Sequence, residues 1–128
     1  MQIKAVEIIL FVKDKPRSRN FYSELLDIAP ITDVTGMTEF PLGSILLGLM
    51  PEDGISGILD DKAPHPRNGA GIPRCELYLS CEDVLQSYAK ALSLGAKSVS
   101  PPADRDWGDH VAYVADPDGH LIAFAKKI

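Results

Sequence analysis

Residues 114–122, VADPDGHLI, place a tight turn between two short apolar segments. In such a turn the proline fixes φ, an aspartate side chain accepts backbone hydrogen bonds, and the glycine tolerates a positive φ. The stretch therefore predicts a hairpin that joins a strand from about His110 to Ala115 to a final strand from Leu121 to Ala125.

The residues ahead of this hairpin add a strand, a helix and another strand. The first strand is Cys75–Ser80, the helix runs from Val84 to Ala91 or slightly beyond, and the next strand is Ala96–Ser100. The pair Pro101-Pro102 then interrupts the pattern. The second half of the chain is therefore predicted to have the order βαβββ.

The first half of the chain repeats this order. A buried strand at Ile8–Val12 precedes a helix between Pro16 and Pro30, and three short strands follow at Ile31–Val34, Met37–Phe40 and Ile45–Met50. Glu7 and Glu76 are 69 residues apart, as are Asp14 and Asp83, which supports two matched modules. Residues 51–73 are rich in Pro and Gly and lack sustained periodicity, so we interpret them as a connector.

Length and composition indicate one globular domain and exclude several classes of function. The chain has 128 residues, of which 45% are hydrophobic and 24% charged. Its net charge of −5, without a basic cluster, argues against nucleic acid as a partner. No apolar run approaches the roughly 20 residues of a membrane span, and no signal peptide is readable. Cys75 and Cys81 lie about 20 Å apart in one predicted strand, too far for a disulfide, which fits a cytoplasmic location.

Alternation along the strands separates the two faces of each predicted sheet. Glu7, Ile9 and Phe11 share one face of the first strand, and Glu76, Tyr78 and Ser80 share one face of the strand that opens the second half. The purely apolar rows should lie under the helices, which leaves the glutamate rows to line a concave cup. The alternative is that both glutamates are solvated on an exposed sheet face. If they do face a narrow cavity, the pKa of at least one should be raised, and a cation would relieve the repulsion.

The chain resembles the vicinal oxygen chelate superfamily, which holds glyoxalases, bleomycin-resistance proteins, fosfomycin-resistance enzymes and extradiol dioxygenases. The resemblance is carried by the order of elements, by the helix with Phe21-Tyr22-Ser23-Glu24-Leu25-Leu26, by Trp107-Gly108 and by the Asp116–Gly119 turn. It implies an α+β fold in which two βαβββ modules form an eight-stranded, open barrel-like sheet with helices outside. Residues 1–128 would then be a single domain, with modules at about 1–50 and 74–128.

The same resemblance implies a metal site on the first and last strands of each module. The matching positions in this chain are Glu7, Leu47, Glu76 and Ala123, so only two of the four have ligand atoms. Two carboxylates alone make a poor site for a divalent cation. The three histidines, His65, His110 and His120, are expected at the surface or in loops, and a bulge, which shifts register in such hairpins, would change the side on which His110 lies. We therefore expect no metal and no cofactor, and the cysteines are expected to be small buried hydrophobes.

The favoured interpretation is a metal-independent protein that binds a small amphipathic or cationic molecule and assembles as a homodimer. The residues expected to line its cavity are Glu7, Ile9, Phe11, Leu47, Glu76, Tyr78, Trp107 and Ala123. Trp107 could instead be an ordered loop residue that covers the core. Two alternatives remain open: a metal-dependent lyase or isomerase of the glyoxalase type that uses Glu7 and Glu76, and a structural or regulatory module whose cup is vestigial.

Overall fold

A computed structural model describes all residues from Met1 to Ile128. The chain divides into two compact units, Met1–Gly69 and Ala70–Ile128. Each unit contains one four-stranded mixed sheet, and the two sheets have the same strand order.

The first unit is built from one βαβββ module followed by two short helical segments. Its elements are β1 (Glu7–Val12), α1 (Lys15–Leu26), β2 (Thr32–Val34), β3 (Met37–Leu42), β4 (Ile45–Pro51), α2 (Glu52–Ile58) and a 3-10 turn (Pro66–Gly69). The strand order is β1-β4-β3-β2, with β1 parallel to β4 and the other pairs antiparallel.

Helix α1 begins where the sequence supplies a cap. The Asp14 carboxylate accepts a hydrogen bond from the Arg17 backbone N–H at 3.1 Å, and Pro16 lies in the first turn, where its missing N–H costs nothing. The helix ends at Asp27, whose φ of 54° is left-handed. Its buried side chains, which include Phe21, Tyr22 and Leu25, pack on the sheet through contacts with β3 and β4.

The second unit repeats the module. Its elements are β5 (Glu76–Ser80), α3 (Val84–Ser93), β6 (Lys97–Asp104), β7 (Asp109–Ala115) and β8 (Leu121–Lys127), and the strand order is β5-β8-β7-β6. Asp83 caps α3 as Asp14 caps α1, with its carboxylate accepting from the Gln86 N–H at 2.9 Å.

The turn between β7 and β8 forms as its sequence predicts. The buried Asp116 carboxylate accepts hydrogen bonds from the backbone N–H groups of Asp118 and His120, at 2.8 and 2.9 Å. Gly119 has a φ of +90°, and a Cβ at that position would lie 2.9 Å from the Cα of Gly71. The glycine is therefore required twice, once for the backbone conformation and once for the close approach of the two chain segments.

Two segments differ from the prediction. The expected connector contains α2, a helix of seven residues with two glycines, which is too short and too glycine-rich to show helical periodicity. Strand β6 continues through Pro101-Pro102 to Asp104 with two register shifts. It tolerates the prolines because β6 is an edge strand, where a missing N–H need not break a sheet hydrogen bond.

The α+β class with two βαβββ modules is confirmed. Cys75 was expected to be buried, but it lies just before β5 and is exposed; Cys81 is partly exposed, and both thiols are free. None of the three α-helices combines the length and apolar character of a membrane-spanning helix.

Candidate functional site

Each sheet has one densely buried face and one mixed face. In the first unit Leu10, Val12 and Leu49 are buried on one side. The other side carries Glu7, Ile9, Phe11, Glu39 and Gly48, and we call it the Glu7 face. In the second unit the corresponding side carries Glu76, Tyr78, Asp109, Tyr113, Ala123 and Ala125, and we call it the Tyr78 face. The separation of faces follows from strand alternation.

On the Glu7 face, two carboxyl groups meet across the middle of the sheet. Glu7 lies on β1 and forms a hydrogen bond with Glu39 on β3, although β4 lies between these strands. The residue of β4 opposite Glu39 is Gly48. A Cβ at Gly48 would lie 2.8 Å from Oε1 of Glu7, so the absence of a side chain there lets Glu7 cross the strand.

The two carboxyl groups differ in pKa. The hydrogen bond with Glu39 raises the pKa of Glu7, and partial burial and the negative charge of Glu39 act in the same direction. The pKa of Glu39 is lowered because its carboxylate accepts hydrogen bonds from Glu7 and from Thr32. Of the two carboxyl groups, Glu7 is therefore the one that keeps its proton to the higher pH.

Leu47, which was expected beside Glu7, lies on the opposite face. It is fully buried and pairs with Ile8 and Phe40. Leu47 and Ala123 each lie four residues after the glycine of the turn that precedes the last strand of their module, Gly43 and Gly119 respectively. In the second module Ala123 pairs with Tyr78. In the first module the counterpart of Tyr78 is Ile9, and it pairs with Gly48, which lies five positions after Gly43. One additional residue reverses the face, so Gly48 occupies the position that matches Ala123.

On the Tyr78 face, an aromatic pair is attached to a carboxylate. The Tyr78 hydroxyl donates to Oδ2 of Asp109 at 2.7 Å and accepts from the Trp107 indole N–H at 2.9 Å. Tyr78 lies on β5 and Asp109 on β7, so the tyrosine crosses β8, where the small residues Ala123 and Ala125 occupy this face. Both rings remain accessible, with Tyr78 43% and Trp107 55% exposed. Burial and the nearby Asp109 charge raise the pKa of Tyr78, while the bond from Trp107 opposes them.

Arg105 anchors the loop that carries Trp107. Its Nη2 donates to the carbonyl oxygens of Val111 and Pro101 and to the Ser100 hydroxyl, at 2.9, 3.2 and 3.0 Å. Its guanidinium carbon lies 5.3 Å from the centre of the Tyr113 ring, a cation–π distance. The arginine therefore ties both ends of the β6–β7 loop together and occupies one aromatic ring of this face.

Comparison with known proteins assigns the family. A model of the glyoxalase/bleomycin resistance protein/dioxygenase superfamily matches residues 4–124. The chain belongs to this superfamily. An uncharacterized protein from Mycobacterium bovis is 29% identical over 127 residues, which cover 93% of this chain and 80% of that protein. The uncharacterized protein YraH from Bacillus subtilis is 28% identical over 130 residues, covering 98% of this chain and 100% of the relative.

Solved structures in the superfamily share the fold. A glyoxalase-related enzyme from Fulvimarina pelagi matches with a TM-score of 0.84 and 21% identity, covering 99% of this chain and 89% of that one. A glyoxalase/bleomycin resistance protein/dioxygenase from Nocardioides matches with a TM-score of 0.79 and 18% identity, covering 100% and 85%. Identities this low support the architecture alone.

The residues of this superfamily member do not fit the metal site that the resemblance implied. Gly48 and Ala123 supply no ligand atoms, and the Glu7 carboxyl group is hydrogen-bonded to Glu39, which raises its pKa. Neither unit holds a group of three or more His, Cys, Asp or Glu side chains arranged around a metal ion. His65 and His110 contact Asp53 and Asp104 respectively, at 2.7 and 2.8 Å, and His110 lies on the side of β7 opposite Asp109.

Three residues of these faces were missing from the sequence prediction, namely Glu39, Gly48 and Asp109. They become visible only when the strand order is known, because Glu39 and Asp109 meet their partners across an intervening strand and Gly48 lies on the strand that Glu7 crosses. A glycine in the middle of the apolar strand β4 was the available signal, since an interior glycine often marks a close approach. Glu7, Ile9 and Phe11 do share one face, as do Glu76, Tyr78 and Ala123.

Proposed function

We propose that this superfamily member binds a small amphipathic or cationic molecule without a metal ion. The observation that supports the proposal is the Trp107–Tyr78–Asp109 hydrogen-bonded chain, which holds two accessible aromatic rings beside a carboxylate. Accessible aromatic rings offer apolar contact area, and their faces attract cations. A protein that only binds its ligand needs no catalyst, which agrees with the lack of a fitting metal site.

The acidic residues of both faces favour a positively charged ligand. Glu76 lies on the Tyr78 face, and its exposed side chain forms no hydrogen bond or ion pair. On the Glu7 face the glutamate pair lies beside the half-buried Ile9 and the 36% exposed Phe11. Each face thus combines negative charge with apolar surface, which is the complement of an amphipathic cation.

A second candidate is an enzyme of the lyase or isomerase type that uses Glu7 and Glu76. The opposite pKa shifts of Glu7 and Glu39 favour a metal-free version of it, because a carboxyl group with a raised pKa suits a general acid and a neighbouring one with a lowered pKa suits a base. In this version Glu7 would donate a proton to a substrate oxygen, and Glu39 would accept one from an adjacent carbon.

A thermal-shift screen tests the binding proposal. The full chain is incubated in EDTA with amphipathic cations, with neutral analogues of the same size and with anionic analogues. We expect the cations to raise the unfolding midpoint in EDTA, and Asp109→Asn to reduce this shift. Tyr88→Phe is the control variant. Tyr88 lies on helix α3, and the change removes a tyrosine hydroxyl that is hydrogen-bonded to Ser98 instead of one in the Trp107–Tyr78–Asp109 chain. Stabilisation that requires an added divalent metal would contradict the proposal.

The variants Glu7→Gln and Glu39→Gln separate binding from catalysis. A binding protein leaves its ligand chemically intact in the parent protein and in both variants, whereas the enzyme would convert a bound compound at a rate that both variants abolish. A homodimeric assembly and a cytoplasmic location remain predictions from the sequence.

A further inference from the structure

We propose that the Trp107–Tyr78–Asp109 cluster is a site for a quaternary ammonium group, selective against primary ammonium and against uncharged groups of the same shape. This inference rests on the proposed function and names the ligand class at its best-defined surface. The observation that supports it is the chain of hydrogen bonds from Trp107 to Tyr78 and from Tyr78 to Asp109.

Every polar hydrogen of the three side chains is donated to another side chain of the cluster. The indole N–H of Trp107 is donated to Tyr78, and the hydroxyl hydrogen of Tyr78 is donated to Asp109. What remains for a ligand is the aromatic surface of the two rings and the negative charge of one carboxylate. A primary ammonium is a compact, strongly hydrated charge, so contact with the aromatic surface requires it to give up water for rings that accept N–H groups poorly.

A quaternary ammonium group matches these remaining features. It carries a positive charge, has no N–H to satisfy, and is recognised through aromatic faces. The hydrogen bond from Tyr78 to the Asp109 carboxylate also polarises the phenol, which makes its ring more electron-rich and a better partner for a cation. Aromatic surface and charge therefore act together at this place.

The other charged groups of this face leave the two rings available. The guanidinium of Arg105 lies over the ring of Tyr113, so it does not cover the ring of Tyr78 or of Trp107. Lys127 pairs with Asp109 across the β7–β8 ladder but forms no ion pair with it. Glu76, two residues before Tyr78 on β5, adds a second negative charge on the same face.

Choline and two analogues test the inference. The first analogue is 3,3-dimethylbutan-1-ol, in which carbon replaces the charged nitrogen, and the second is ethanolamine, which carries a primary ammonium. Trp107 is the only tryptophan of the chain, so its fluorescence reports occupancy directly. At constant ionic strength and neutral pH we expect saturable quenching by choline and affinities roughly tenfold weaker for both analogues, the effect of a cation–π contact of 1–2 kcal/mol.

Conservative variants assign the selectivity to the cluster. Asp109→Asn keeps the shape and removes the charge, and it should weaken choline binding while leaving the binding of the neutral analogue unchanged. Tyr78→Phe keeps the ring but removes both hydrogen bonds, and it should reduce the preference for choline over ethanolamine. Tyr88→Phe should behave like the parent protein. The Tyr78→Phe arm also keeps the test decisive if Asp109→Asn does not fold.

Two results would overturn the inference. One is equal or tighter binding of either analogue, and the other is choline binding that is insensitive to Asp109→Asn and Tyr78→Phe. If choline fails to bind but other amphipathic cations stabilise the protein in EDTA, the quaternary-ammonium assignment fails and the proposed function stands. If no amphipathic cation stabilises the protein either, both fail.

Discussion

Two glycines of this protein would meet a neighbour at nearly the same distance if they gained a methyl group, yet we predict different consequences for stability. At Gly48 the nearest atom is Oε1 of Glu7 at 2.8 Å, followed by Ile9 Cγ1 at 3.1 Å and Met37 Sδ at 3.3 Å. At Gly119 the nearest atom is the backbone Cα of Gly71, at 2.9 Å. A flexible side chain can rotate away, whereas a backbone segment cannot move without displacing its neighbours.

The expected free energies follow from this difference. Gly119→Ala combines a positive φ, which costs about 1–2 kcal/mol for a residue with a Cβ, with overpacking against backbone, which costs about 1–3 kcal/mol. We therefore expect a loss of about 2–5 kcal/mol in the free energy of unfolding. Gly48→Ala removes conformational freedom from the unfolded chain, worth about 0.4–1 kcal/mol, and this offsets the small displacement of Glu7, Ile9 and Met37. Its net effect should lie within about 1 kcal/mol of zero.

Gly48→Ala should nevertheless change the Glu7 face. Once Glu7 cannot cross β4, its hydrogen bond to Glu39 is lost, so the pKa of Glu7 should fall toward its ordinary value and that of Glu39 should rise. Urea denaturation measures the stabilities of both variants, and a carbon-13 NMR titration of the glutamate carboxyls measures the pKa values. A Gly48→Ala variant as destabilised as Gly119→Ala, or one that keeps a raised pKa at Glu7, would refute the reasoning.

Three further predictions follow from the charges and caps. The stability that Glu7 contributes through its pair with Glu39 should be lost as pH rises through its raised pKa, and the stability that Glu39 contributes should be lost as pH falls through its lowered pKa. Urea denaturation at a series of pH values measures both losses, and in Glu7→Gln the loss on the alkaline side should disappear. Asp14→Ala and Asp83→Ala should each reduce the free energy of unfolding by about 1 kcal/mol, because each removes a helix cap, and a near-zero effect on urea denaturation would show that the cap bonds do not contribute. Removing divalent metals with EDTA should leave the unfolding midpoint in a thermal scan unchanged, whereas a clear drop would reveal a bound ion.

The fold could be predicted from the sequence because its signals are local. The turn at Asp116–Gly119, the capping aspartates Asp14 and Asp83 and the alternation in β1 and β5 each depend on a few neighbouring residues. Helix α2 was missed because seven residues show too little periodicity. The sequence prediction ends strand β6 too early, at the two prolines. Those prolines are acceptable because β6 is an edge strand, and the edge position is a property of the whole sheet that the segment alone does not show.

The candidate site was predicted only in part, because its contacts depend on register. Strand alternation correctly placed Glu7 with Ile9 and Tyr78 with Glu76. Leu47 was assigned to the wrong face because a one-residue difference after the turn reverses alternation. Glu39 and Asp109 reach their partners across a third strand, over the small residues of β4 and β8, and no local pattern records such a contact.

The most direct test of the account is a titration of nitrogen-15-labelled protein with choline in EDTA, followed through the single indole N–H resonance. The indole N–H of Trp107 donates a hydrogen bond to the Tyr78 hydroxyl, so a ligand on the two rings should shift its resonance. We predict a saturable shift of the Trp107 resonance without added metal, and a smaller one in Asp109→Asn. A resonance that stays fixed with choline and with other amphipathic cations, or that moves only after a divalent metal is added, would contradict metal-independent binding at this face.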